Sequence, residues 1–157
     1  MNIDEDKNGA SVKIPPPIVF TFFMLIAYGL HYFLAVDISS LSFFLYFGYF
    51  FVTLGLVSLL IASISFRRAQ TNIKPWKPTT RIISSGLFAY SRNPIYLAFC
   101  AITIGIGFIV NNLWIVLSFI PSIVVIFFTT IKKEEAYLAN KFGQEYLAYK
   151  EKVRRWF

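Results

Sequence analysis

Four long apolar segments dominate this sequence and leave few folds open to it. They cover residues 18–36, 41–66, 94–110 and 113–131, and the charged residues lie mainly outside them. At a rise of about 1.5 Å per residue, about 20 helical residues cross a hydrocarbon core of about 30 Å. A helix also satisfies its own backbone hydrogen bonds in lipid. The sequence therefore predicts an all-α integral membrane bundle with about four transmembrane helices, the third of them short.

The composition agrees with this class and excludes several kinds of site. The chain is 57% hydrophobic, and its single cysteine, Cys100, excludes an intrachain disulfide. We expect Cys100 to be a small packing residue. His31 is the only histidine and lies in an apolar run, where we expect it to pack or contact a neighbouring helix. No Cys/His cluster has metal-ligand spacing, so no metal site is predicted.

The distribution of positive charge predicts the topology. All 15 Lys and Arg residues lie before the first segment, between the second and third, or after the fourth, and the loops 37–40 and 111–112 contain none. By the positive-inside rule, both termini and the central loop are cytoplasmic. Topology and anionic lipid headgroups account for the net charge of +7, so no nucleic-acid partner is needed.

Residues 1–14 form a polar N-terminal tail, predicted to be mobile, and residues 15–157 are predicted to form a single membrane domain. The tail is unlike a signal peptide, because Asp4, Glu5 and Asp6 occupy the place where positive charge is expected. Three prolines at 15–17 then make a stiff entry to the first helix.

The C-terminal segment has the pattern of an amphipathic helix. Its apolar residues recur at intervals of three and four, at Leu138, Phe142, Tyr146, Tyr149, Val153 and Trp156. Such a helix lies along the membrane surface as an interfacial anchor, or folds back on the bundle as a lid. The pattern alone does not separate these two interpretations.

Two polar clusters bracket the third and fourth segments. Asn93-Pro94 reads as a helix start, because Asn is favoured at the N-cap and Pro at the first helical position. The free amides of that turn, with Arg92 beside them, favour an anion. The alternative for Arg92 is a side chain that reaches the lipid headgroups and enforces topology.

The second cluster, Glu134-Glu135, lies at the end of the fourth segment. These carboxylates are either part of a ligand site or simply part of a solvated helix face. A turn at Asn111-Asn112 would return these carboxylates to the side of the membrane where Arg92 lies. Together the clusters predict a site for a ligand with a carboxylate, hydroxyls and a positive centre. Gly105-x-Gly107, between the clusters, is expected to permit close helix packing rather than to bind phosphate.

The ordered motifs resemble the isoprenylcysteine carboxyl methyltransferase and phospholipid methyltransferase superfamily, in particular its small bacterial members. The motif-bearing part is residues 66–157, and its motifs are Pro75-Trp76-Lys77-Pro78-Thr79-Thr80, Ser91-Arg92-Asn93-Pro94-x-Tyr96, Glu134-Glu135-x-x-Leu138, Phe142-Gly143-x-Glu145-Tyr146-x-x-Tyr149 and Val153-Arg154-Arg155. The chain departs from the family's common pattern in having Asn93 in place of His and Ala98 in place of Gly.

The resemblance implies a membrane methyltransferase that uses S-adenosylmethionine at a cytoplasmic site in a bacterial inner membrane. Carried over, it assigns catalytic roles to Arg92 and Glu135, and it assigns cofactor contacts to Tyr90, Arg92, Asn93, Pro94, Tyr96, Glu134 and Glu135. The acceptor is expected to be lipophilic: an isoprenylcysteine-like carboxylate, a lipid headgroup or a small molecule. The sequence leaves open which of these it is, whether O, N or S is methylated, and the oligomeric state.

Two other functions remain open at this point. The first is a non-enzymatic membrane scaffold or subunit of the same fold, which would have a filled cleft or widely separated polar clusters. The second is an NADPH-dependent reductase, because the superfamily is distantly similar to part of the sterol reductases. Those proteins generally lack the Glu-Glu pair, so the methyltransferase is favoured.

Overall fold

The computed structural model describes residues 9–39 and 41–156, and its regular structure within those ranges is helical. This confirms the all-α class. Residues 1–8 of the predicted tail and Ser40 of the predicted loop 37–40 lie outside the described residues. The main helices are α1 (Pro16–Phe33), α2 (Ser42–Arg68), α3 (Pro94–Ile109), α4 (Leu113–Phe142) and α5 (Gln144–Lys152).

Three of these helices, α1, α2 and α4, are long and apolar enough to cross a membrane. Helix α3 has only 16 residues, as the short third segment predicts. The outer faces of α1 and α2 carry large exposed apolar side chains, among them Leu25, Tyr32 and Leu60. A bilayer would cover such faces, so they agree with the membrane assignment.

Helices α2 and α3 form the most extensive helix contact, and glycines allow it. Gly48 and Gly55 of α2 lie against the backbones of Gly105 and Ala98 of α3, with no room for a methyl group at either glycine. Gly107 lies in the same way against Val116 of α4. The predicted packing role of Gly105-x-Gly107 is therefore confirmed, since small residues let helix backbones approach closely in membranes.

Helix α1 packs on another face of α3. The rings of Phe20 and Phe99 lie 5.5 Å apart, in a core that also includes Val19, Tyr96 and Ile126. At 3.6 residues per turn, Tyr96 and Phe99 lie on a different side of α3 from Ala98 and Gly105, which meet α2. Among the described residues, α1 and α2 share almost no contacts, although they are consecutive in the chain. The two helices therefore pack on α3 separately and leave a gap between their backbones.

The predicted turn at Asn111-Asn112 is confirmed, and both side chains stabilise it. Asn111 adopts a positive φ of 53°, and its Oδ1 accepts hydrogen bonds of 3.0 Å from the amides of Ile38 and Ser39. The Oδ1 of Asn112 caps the next helix by accepting from the amide of Ile115 at 3.1 Å. One side chain thus ties the α3–α4 turn to the α1–α2 loop, while the other starts α4.

Helix α4 is irregular at two places. Its α-helical geometry is interrupted at Ser118, three residues before Pro121, which cannot donate a backbone hydrogen bond. Its Phe127–Ile131 turn is a π-helix, a wider turn that changes which side chains face the bundle after it. This turn immediately precedes the residues Lys132–Phe142 that carry Glu134 and Glu135.

The C-terminal segment differs from the single amphipathic helix expected from its pattern. Its first part continues α4 without a break as far as Phe142, and Gly143 then interrupts the helix with a φ of +53°. Glycine adopts this conformation without steric cost. Helix α5 follows, and residues 153–156, here named the C-terminal clasp, run back across the bundle.

The described end of the N-terminal tail, residues 9–14, packs on the protein rather than extending away from it. Ala10 and Val12 are buried, and the amide of Ala10 donates to the carbonyl of Pro75 at 2.9 Å. The central loop between α2 and α3 is therefore covered on one side by the residues that precede α1.

We predict that Gly105→Ala destabilises the bundle by about 1–3 kcal/mol, the usual cost of overpacking. The added Cβ would lie 2.7 Å from both the Gly48 carbonyl oxygen and the Val52 amide nitrogen. Thermal unfolding in detergent measures the effect. Gly29→Ala is the matched control, because nothing lies within 4 Å of its added methyl group. Equal unfolding temperatures for the two variants would contradict this account of the α2–α3 contact.

Candidate active site

The chain enters α3 through a 3₁₀ turn, Gly86–Ala89, and α3 begins at Pro94 as predicted. The amides of Tyr90 and Ser91 donate to the carbonyl of Leu87 at 3.2 and 3.1 Å, which closes the turn. Proline suits the first helical position, because that position needs no amide donor. The residues just before α3 are thereby fixed at one end of the bundle.

Asn93 occupies the N-cap position, but its side chain does not cap the helix. Its Nδ2 donates to the carbonyl oxygen of Arg155 at 3.1 Å, and the Ser91 hydroxyl donates to that same oxygen at 3.1 Å. The amide of Arg92 donates to the carbonyl of Arg154 at 3.0 Å. The polar groups that precede α3 therefore fasten the C-terminal clasp to the helix start.

Arginine side chains from two parts of the chain share the carboxylate of Glu135. Arg155 binds it with both prongs, Nε to Oε1 at 2.8 Å and Nη2 to Oε2 at 2.9 Å. Nη1 of Arg92 lies 3.1 Å from Oε1, and the side chains of Arg92 and Glu135 are only 8% and 14% exposed. The predicted meeting of the two polar clusters is confirmed, and a cation from the C-terminal clasp joins them.

Glu134 lies in a different environment from its neighbour. The hydroxyl of buried Tyr96 donates to the Glu134 carboxylate and lies 2.9 and 2.8 Å from its two oxygens. Among the described residues, Glu134 accepts a side-chain hydrogen bond from Tyr96 alone. Within that part of the chain, Glu134 forms no ion pair with Lys, Arg or His. The Glu-Glu pair thus combines one carboxylate bound by two cations with one bound by a phenol.

Two tyrosines of α5 complete this end of the bundle. The hydroxyl of Tyr149 donates to the carbonyl of Phe88 at 2.7 Å, and burial raises the pKa of Tyr149 to about 12. Burial likewise raises the pKa of Tyr146, whose oxygen lies 3.4 Å from Nη1 of Arg92. Both phenols therefore stay protonated at neutral pH. The hydrogen bonds to Glu135 raise the pKa of Arg155, so its guanidinium stays charged.

A cavity of about 460 Å³ lies at this end of the bundle. Six of the seven residues assigned to the site by sequence line it: Arg92, Asn93, Pro94, Tyr96, Glu134 and Glu135. The seventh, Tyr90, does not line the cavity, and its side chain is 78% exposed. The cause is local, because the 3₁₀ turn directs Tyr90 outward while the helix start directs Arg92 and Tyr96 inward.

Several residues of the cavity were not assigned to the site by sequence. Tyr146 and Tyr149 line it from α5, and Trp76 and Ile73 line it from the central loop. Both tyrosines belong to the apolar face predicted along the C-terminal segment, so that pattern could have indicated that they face the bundle. Arg155 lies in the Val153-Arg154-Arg155 motif, but that motif does not predict its contact with Glu135, which depends on where the clasp turns.

His31 and Cys100 lie away from the polar part of the cavity. His31 is near the far end of α1, with Nε2 at 3.8 Å from the carboxylate of Asp37. Cys100 is buried in the core beside α1, in agreement with its predicted packing role.

Comparison with known families gives one match over most of the chain. The family described as phospholipid methyltransferase matches residues 43–145. The matched range begins in α2, includes both polar clusters and ends in α5. No solved structure gives a significant match.

Two curated proteins are also similar to parts of the chain. A protein-S-isoprenylcysteine O-methyltransferase of Schizosaccharomyces pombe is 33% identical over 72 residues, which is 46% of this chain and 30% of the relative. An uncharacterized protein of Haemophilus influenzae is 65% identical over 26 residues, which is 17% of this chain and 41% of the relative. The matches therefore cover less than half the length of either relative.

We predict that Tyr96→Phe destabilises the protein by about 1–3 kcal/mol, because the Glu134 carboxylate loses its hydrogen-bond donor while staying in the cavity wall. Thermal unfolding measures the change. Tyr90→Phe is the control, since the same oxygen is removed from a ring that is 78% exposed. A Tyr96→Phe variant as stable as the control would contradict the pairing of Tyr96 with Glu134.

Proposed function

We propose that this chain, which belongs to the phospholipid methyltransferase family, is a membrane methyltransferase that takes its methyl group from S-adenosylmethionine. The observation that carries the proposal is the convergence of Arg92, Tyr96 and Glu134 on one cavity of about 460 Å³. That volume lies within the range of about 300–1,000 Å³ typical of small-molecule sites. We further propose that residues 15–157 act as one domain.

The residues present fit such a cofactor. Arg92 places a cation in the cavity wall, and its buried Nε has no hydrogen-bond partner among the described residues. An arginine suits a carboxylate, and a carboxylate such as Glu134 accepts from ammonium or hydroxyl groups. The rings of Trp76, Tyr146 and Tyr149 add flat surfaces for a heterocycle.

In this proposal the chain contributes binding and orientation. When bound, S-adenosylmethionine would supply the methyl group of its sulfonium to an acceptor atom in line with the breaking C–S bond, and S-adenosylhomocysteine would be the leaving group. Arg92 holds the carboxylate end, Glu135 positions Arg92, and Tyr96 orients the Glu134 carboxylate. The start of α3 at Asn93 and Pro94 forms part of the wall. Orienting the reactants and excluding water account for catalysis without a covalent intermediate on the protein.

The acceptor is proposed to be lipophilic. Part of the cavity wall is apolar, with Pro16 of α1, Leu59 and Phe66 of α2, and Phe99 of α3. We place the route from the lipid between α1 and α2, because the backbones of these helices do not pack closely and both contribute to the apolar wall. An isoprenylcysteine-like carboxylate, a lipid headgroup or a small lipophilic molecule could reach the site this way.

A scaffold without activity would be expected to have a filled cleft or separated polar clusters. Arg92 and Glu135 lie 3.1 Å apart beside an open cavity, so the enzyme is the better supported of the two functions.

We propose an orientation in which the cavity faces the cytoplasm from a bacterial inner membrane, since positive charge is concentrated on that side. A membrane-impermeant maleimide applied to intact cells should therefore label Asp37→Cys and should label Ser84→Cys only after permeabilisation. The parent protein is the control, because its single cysteine, Cys100, is buried. Labelling of Ser84→Cys alone in intact cells would reverse the orientation.

We predict that the protein in nanodiscs binds S-adenosylmethionine and that Arg92→Gln weakens binding about tenfold or more, because a charge-assisted contact to the carboxylate is lost. Calorimetry measures the affinity, and circular dichroism checks the fold. Arg67→Gln is the control, since it removes an exposed cation outside the cavity wall. Absence of binding by the parent protein, or unchanged affinity in folded Arg92→Gln, would overturn the proposed site.

A further inference from the structure

Arg92 is the cation proposed to receive an anionic group, yet it already faces a carboxylate. Glu135 lies 3.1 Å from Nη1 of Arg92, and both side chains are largely buried. An isolated Arg92–Glu135 pair would have no net charge. It would also draw the guanidinium toward Glu135, since an Arg–carboxylate pair favours two parallel hydrogen bonds.

Arg155 changes this balance. Its Nε and Nη2 bind the two oxygens of Glu135 at 2.8 and 2.9 Å, so the bidentate geometry is taken by Arg155. Arg92 keeps one contact to Oε1, and its buried Nε has no hydrogen-bond partner among the residues described. The three groups together carry one net positive charge, and Arg92 is the one of the two arginines that lines the cavity.

The C-terminal clasp holds Arg155 in this position. The carbonyl oxygen of Arg155 accepts from the Ser91 hydroxyl and from Nδ2 of Asn93, both at 3.1 Å. Its guanidinium lies 5.0 Å from the ring centroid of Phe127. Arg155 is not among the residues that line the cavity, so it would act on a ligand through neighbours that do, and Glu135 and Arg92 are the charged ones.

We infer that Arg155 is a positioning residue that occupies Glu135, and so leaves the group with one net positive charge and Arg92 available for the carboxylate of the methyl donor. This inference rests on the proposed function. It makes the end of the chain a determinant of ligand recognition rather than only a membrane anchor. Loss of Arg155 should turn Arg92 toward Glu135 and remove the net positive charge of the group.

The test compares two ligands that differ only in the carboxylate: S-adenosylhomocysteine and its decarboxylated counterpart. Calorimetry in nanodiscs gives both affinities for the parent protein, Arg155→Gln and Lys152→Gln. The last is the matched control, because Lys152 is an exposed cation at the end of α5. Arg155→Gln should weaken S-adenosylhomocysteine about tenfold and leave the decarboxylated ligand within about twofold.

A purely structural role for Arg155 would give a different pattern. If loosening the clasp deforms the whole cavity, Arg155→Gln weakens both ligands by the same factor, and the inference is overturned. Equal binding of both ligands by the parent protein overturns it as well, because the carboxylate is then not recognised. The inference is also overturned if Arg155→Gln binds both ligands with the same affinities as the parent protein. Binding of neither ligand by the parent protein rejects the proposed function itself.

Arg155→Lys adds a second readout that survives poor folding of the Gln variant. Lysine keeps the charge but not the planar fork, so it can make one contact with Glu135 where arginine makes two. Affinity for S-adenosylhomocysteine should therefore fall between those of the parent and Arg155→Gln. An Arg155→Lys variant that loses both ligands to the same degree would contradict the positioning role.

Discussion

The carboxylate of Glu135 is the point at which three distant parts of the chain meet. It belongs to the polar end of α4, it contacts Arg92 from the loop before α3, and it is gripped by Arg155 from the C-terminal clasp. Buried ion pairs contribute little net stability, because desolvation offsets most of their attraction. The main effect of these contacts is therefore to fix the positions of the two guanidinium groups and of the start of α3 relative to the cavity.

The apolar frame makes that meeting possible. The asparagine turn between α3 and α4 reverses the chain, and the glycine contacts of α2 with α3 hold the backbones close. Because α3 has only 16 residues, it is shorter than the helices that are long enough to cross a membrane, and polar groups gather before its first turn. The frame also leaves α1 and α2 apart, so the same cavity has polar groups at one side and apolar side chains at the other.

Much of this arrangement was predictable because it depends on local rules. The apolar segments, the start at Pro94 and the Asn111-Asn112 turn follow from residue preferences that act over a few positions. Once the turn is known, the approach of Glu135 to Arg92 follows from geometry. The resemblance to a family then identifies the chemistry that the cluster suits.

The remaining features depend on contacts between residues far apart in sequence. The side chain of Asn93 bonds Arg155 instead of its own helix, and Arg155 reaches Glu135 only because the chain bends at Gly143 and turns again after α5. The outward direction of Tyr90 depends on the 3₁₀ turn before it. Helical periodicity predicts none of these features, because at each of them the chain departs from a regular helix.

Methyl transfer to the lipid fraction tests the proposed activity most directly. Membranes containing the parent protein or Arg92→Gln would be supplied with S-adenosylmethionine labelled in its methyl group, and the lipid extract analysed by mass spectrometry. We expect a labelled lipid-soluble product with the parent protein, and about tenfold less or none with the variant. Absence of label with the parent protein, or equal label with both, would contradict it.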